Sequence, residues 1–107
     1  MVIGIGGSNL GTIAIHEAIN GILYNELNPT IKVYFADTVD CEYISQILQA
    51  VEKELKSGKN ILLNVISKSG TTTETIANAK IFLELLQQYK KDWQHYVVIT
   101  SDKDSLL

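Results

Sequence analysis

The segment Ser67-Lys68-Ser69-Gly70-Thr71-Thr72-Thr73-Glu74-Thr75 carries six hydroxyl side chains in nine residues, and helical apolar spacing begins directly after it. The first N–H groups of a helix have no intrahelical acceptor, and the positive end of the helix dipole lies beside them. Rotatable hydroxyls add donors to the same place. Together these groups suit an anion, above all a phosphate. Thr71 and Glu74 also match a capping box. A cap uses one hydroxyl and six are present, so anion binding is the stronger reading. No G-x-x-x-x-G-K-[ST] string occurs, so the loop is not a Walker A loop.

A second loop, Gly4-Ile5-Gly6-Gly7-Ser8-Asn9-Leu10-Gly11, opens the first helical segment. Successive glycines permit a tight turn and close approach of a ligand to the backbone. Ser8 can cap the helix or donate to a ligand. A dinucleotide fingerprint would need glycine where Asn9 stands. No NAD or FAD is therefore expected, although Asp37 closes the second strand-like run. No His/Cys/Asp/Glu group has metal-ligand spacing, so neither a metal nor another cofactor is expected.

Four apolar runs can position these loops: Val2–Ile5, Ile31–Ala36, Ile61–Ile66 and Tyr96–Thr100. They are nearly continuous rather than alternating, which predicts parallel strands buried on both faces. Between them lie helical patterns over Leu10–Leu23, with a stripe of Ile15, Ala18, Ile19 and Ile22, over Cys41–Lys56, and over Thr72–Tyr89. The alternation predicts an α/β doubly wound parallel sheet of order 2-1-3-4 with helices on both faces. In such sheets ligands bind beyond the carboxyl ends of the strands at the switch in strand order. That places both loops at the expected site. The sequence stops soon after the fourth strand, where this fold usually continues to a fifth, so a truncated domain spanning 1–107 is expected. Asn64, polar within a strand, should be hydrogen-bonded. His16 and His95 read as packing or surface residues.

The composition narrows the partners. The chain has 9 basic and 12 acidic residues and a net charge of -3, and every basic residue is lysine. Without arginine or a basic cluster, nucleic-acid binding is not expected. Cys41 is the one cysteine, which fits a reducing compartment. No apolar run is long enough to span a membrane, and no leader-like segment opens the chain, so a cytoplasmic location is expected.

The two motifs in this order, about 60 residues apart, resemble the phosphoglucose isomerase family, and the resemblance covers essentially the whole chain. It implies a sugar isomerase (SIS) domain acting in glycolysis and gluconeogenesis, within a homodimeric enzyme interconverting glucose 6-phosphate and fructose 6-phosphate. By motif position, Ser67, Ser69 and Thr72 would hold the phosphate, with Lys68 and Thr71 contributing. Gly7 and Ser8 would lie against the sugar. Glu74 resembles a family glutamate that pairs with the ring-opening histidine, a supporting catalytic role that a capping box does not exclude. The family's base glutamate, ring-opening histidine, arginine and lysine come from later segments, so this chain alone is expected to be inactive. A different class remains open: a sugar-phosphate-sensing module that binds without catalysis.

Overall fold

Val, Ile and Tyr crowd the apolar runs, and β-branched and aromatic side chains fit a pleated, packed surface. The runs form one parallel sheet from β1 (Val2–Ile3), β2 (Phe35–Ala36), β3 (Leu63–Ile66) and β4 (Val97–Thr100). The computed structural model describes residues 1–107. The strand order is β2-β1-β3-β4, as the sequence predicts. Val2 stands opposite both Phe35 and Asn64, and Leu63 stands opposite Val97. The helices are α1 (Leu10–Asn20), α2 (Cys41–Lys56) and α3 (Thr73–Tyr89).

The α2 helix follows its sequence signals closely. Asp40 accepts hydrogen bonds from the amides of Glu42 and Tyr43, which caps the first turn. Lys53 and Lys56 lie in the last turn, where the dipole favours cations. Ile44, Ile47, Val51 and Leu55 are buried along one stripe. They share a core with Phe82, Leu85 and Leu86 of α3 and with Ile3, Ala36, Leu63 and Val65 of the sheet. Asn78 of α3 is buried and donates to the Thr38 carbonyl, tying that helix to the loop after β2.

Burial on both faces of the sheet is not found. Ile3, Ala36, Leu63 and Val65 are buried, whereas their chain neighbours Val2, Phe35 and Asn64 are only half-buried. Alternate side chains point to opposite faces, so one face carries the core. The other meets α1 at His16, whose ring lies 5.7 Å from Phe35 and 5.0 Å from Tyr24. This packing role for His16 is the expected one. No residue of α1 is buried, and Ile15 and Ile19 are 64% and 76% exposed. The helix also ends earlier than expected, because Gly21 at φ +82° stops it. Asn64 accepts a hydrogen bond from the Thr100 hydroxyl, so this strand polar group is satisfied as predicted. No helix is long and apolar enough to cross a membrane.

Candidate functional site

Both motif loops leave the carboxyl ends of adjacent strands, β1 and β3, at the switch in strand order. A Cβ placed on Gly4 would lie 3.1 Å from the Ile66 carbonyl and 3.0 Å from Asn9 Oδ1. Any side chain here would press on both groups, and glycine lets the two loops start this close together without displacing either. After Gly4 the backbone makes one 3-10 turn over Gly6–Ser8, with Gly6 at φ +58°. Gly6 and Gly7 are exposed and nothing stands over them within 4 Å of a built Cβ. Ser8 is half-buried beside them.

Ser8 does not cap α1. Asn9 occupies the cap position, and no side chain bonds the helix amides there. The Asn9 side chain turns back instead, and its Nδ2 donates to the Gly4 carbonyl at 2.8 Å. Its Oδ1 is buried without a donor. Asn9 matters in the sequence for breaking the dinucleotide spacing; its work as a staple of the glycine loop depends on which way the side chain turns.

The hydroxyl loop lies between β3 and α3. Ser67 is 2% exposed. Its hydroxyl accepts from the Gly70 amide and donates to Thr72 Oγ1 at 3.3 Å, so it is engaged on both sides within the loop. Ser69 and Thr71 hydroxyls bond one another at 2.8 Å on the exposed side, and the Thr71 amide donates to Ser69 Oγ. Gly70 adopts φ +68°, where glycine is favoured.

The Thr71–Glu74 pair, which matches a capping box in sequence, does not form one. Thr72 is the cap residue and no side chain caps the helix. The helix starts at Thr73, so Thr72 rather than Thr71 stands at the cap and Glu74 falls at the second helical position instead of the third that a capping box needs. Glu74 stands exposed in the first turn of α3. The first intrahelical bond runs from the Ile76 amide to the Thr72 carbonyl. The Thr73, Glu74 and Thr75 amides therefore have no acceptor in the helix. Because Thr72 Oγ1 already accepts from Ser67, its own proton is free to donate outward. Lys68 is exposed and makes no ion pair. The structure thus brings Ser67, Lys68, Ser69, Thr71 and Thr72 together at one helix terminus, beside the loop that carries Gly7 and Ser8.

A cleft of about 400 Å³ lies elsewhere, lined by residues such as Met1, Ile31, Lys32, Glu54 and Lys59. Its cations are already committed. Lys32 bonds Glu54 Oε1 at 2.7 Å, and Lys59 pairs with the other oxygen. The hydrogen bond from Lys32, then that from Lys59, holds the Glu54 carboxyl down to about 2. Size alone does not make that cleft an anion site, and no cluster of metal-ligating side chains is found.

The phosphoglucose isomerase family profile matches residues 1–105. The chain belongs to the phosphoglucose isomerase family. It is 36% identical to a glucose-6-phosphate isomerase of Carboxydothermus hydrogenoformans, over 97% of this chain and 22% of that protein. A glucose-6-phosphate isomerase of Thermus thermophilus is 33% identical over 95% of the chain and 22% of the relative. A crystal structure of a hypothetical protein from Thermus thermophilus superposes with a TM-score of 0.76 at 33% identity, over 97% of this chain and 22% of that one. The chain thus spans about a fifth of the length of these relatives.

Proposed function

We propose that this chain supplies the sugar-phosphate-binding loops of a glucose-6-phosphate isomerase, within a single partial SIS domain. One observation carries the reading: the uncapped first turn of α3 is ringed by the hydroxyls of Ser69, Thr71 and Thr72, with unpaired Lys68 beside it. A phosphate placed there would accept from backbone amides, hydroxyls and one ammonium group. Ser67 would serve it from within, by turning the Thr72 hydroxyl outward. The open backbone at Gly7 and the Ser8 hydroxyl would face the sugar.

Aldose–ketose isomerisation opens the ring and moves a proton between C1 and C2 through an enediol. It needs a base, an acid/base for ring opening, and positive charge near the enediolate. The two loops offer only Glu74 and Lys68, and the chain has no arginine. Our reading is therefore that the isolated chain binds without turnover, and that phosphate binding serves to position the reacting end. The whole enzyme is proposed to be a cytoplasmic homodimer, with Glu74 supporting ring opening.

An amide NMR titration with glucose 6-phosphate tests this, with inorganic phosphate, glucose and NAD as controls. Shifts at Ser67–Thr75 with glucose 6-phosphate and phosphate, but not with glucose or NAD, are expected. A folded chain whose loop ignores both phosphates would overturn the reading for this polypeptide.

A further inference from the structure

The hydroxyl loop is held from outside the motif by the segment that follows β4. The Ser101 hydroxyl donates to the Ser67 carbonyl at 2.6 Å and reaches the Lys68 carbonyl at 3.3 Å. The Asp102 amide donates to the same Lys68 carbonyl at 3.1 Å, and the Ser67 amide donates to the Thr100 carbonyl at 3.0 Å. Backbone at Leu106 and Leu107 then closes over Gly70, with their nitrogens 3.0 and 2.9 Å from a built Cβ.

This arrangement has a directional consequence. Across a trans peptide, the carbonyl and the next N–H point in opposite directions. Drawing the Ser67 and Lys68 carbonyls toward Ser101 turns the Lys68 and Ser69 amides the other way. Neither amide donates within the chain. Two successive free amides on one side of a loop form an anion-binding concavity.

We propose that Ser101 is a positioning residue for anion recognition: its hydroxyl fixes two carbonyls so that the Lys68 and Ser69 amides face a phosphate. The proposal rests on the phosphate reading above and extends it to a residue outside both motifs. Ser101 need not touch the ligand. It sets the angle of the donors that do.

The test compares the chain with Ser101→Ala and Ser101→Thr by amide NMR, first without additions and then with inorganic phosphate and glucose 6-phosphate. In Ser101→Ala the Lys68 and Ser69 amides should shift and broaden while Leu63 and Phe82 stay in place. Phosphate affinity should fall roughly fivefold to tenfold, the worth of one hydrogen bond, and Ser101→Thr should restore both. Equal affinity and unchanged Lys68 and Ser69 amides in Ser101→Ala would overturn the role of Ser101 and leave the phosphate site standing. If the unaltered chain binds no phosphate, the phosphate reading fails. The proposal is then judged on those two amides alone, and their insensitivity to Ser101→Ala sinks it too. Should Ser101→Ala not fold, Ser101→Cys puts the same question, because a thiol is a weak donor.

Discussion

Asn9 and Gly4 form a clasp in which the asparagine Nδ2 donates to the glycine carbonyl at 2.8 Å, and Oδ1 sits 3.0 Å from where a Gly4 Cβ would be. The contact closes the glycine loop on itself. Gly4→Ala must push either this amide or the Ile66 carbonyl aside, and the carbonyl belongs to a central strand. A loss of about 1–3 kcal/mol is expected, as for overpacking. Asn9→Ala should cost about 1–3 kcal/mol, since it leaves the buried Gly4 carbonyl without its side-chain donor. Urea unfolding of the two variants checks both values, and an unchanged midpoint for either would contradict the clasp.

Gly70 and Gly7 should respond differently to alanine. Gly70 sits at φ +68° beneath the Leu106 and Leu107 nitrogens. Gly70→Ala should therefore destabilise by about 1–3 kcal/mol and weaken phosphate binding. Gly7 has open space around it and no positive φ, so Gly7→Ala should change stability by less than about 0.5 kcal/mol. Thermal melts separate the two, and equal melting temperatures would contradict the structure.

The Lys32–Glu54–Lys59 cluster makes stability depend on acid pH. Glu54 is lowered from 4.5 to about 2, with the Lys32 hydrogen bond as the largest cause. A depressed carboxyl binds fewer protons when folded, so its contribution is complete above about pH 4.5. It falls away as pH drops toward 2. The pair is partly solvated, so its worth is about 1 kcal/mol or less. Glu54→Gln should lower stability by that amount at pH 7 and by progressively less below pH 4.5. Urea midpoints from pH 7 to pH 2 read the difference; parallel curves would exclude the effect.

Helix α1 should be the first helix to open. It buries no residue, whereas α2 buries four and α3 five. Local stability follows buried contacts, so α1 amides should exchange fastest among the helices. Ile19→Lys should cost less than about 0.5 kcal/mol, while Ile47→Ala should cost about 2–4 kcal/mol. Hydrogen exchange followed by NMR tests the ranking, and α1 protection equal to that of α2 would contradict it.

Much of the fold was legible because its signals are local. The Cys41–Lys56 stripe with its lysine-rich end marks α2, and the βα alternation gave the strand order. The α1 stripe misled for a physical reason. Periodicity reports that Ile15, Ala18, Ile19 and Ile22 lie along one side of a helix, but nothing about what covers them. In this structure they meet no core. Ile22 and Leu23 continue the apolar spacing past Gly21, whose positive φ ends the helix in the structure.

The site divides in the same way. Residue types alone place a hydroxyl-rich helix start and a glycine loop at the ends of neighbouring strands, because both motifs are contiguous and their chemistry is local. Tertiary structure decides which hydroxyls remain available: Ser67 is turned inward to Thr72 and Gly70, Ser69 is paired with Thr71, and no side chain caps α3. It also brings Ser101 to Ser67 from 34 residues away. No spacing rule links those two positions. They meet because parallel pairing sets the end of β4 beside the end of β3, and pairing between distant strands is a property of the folded chain.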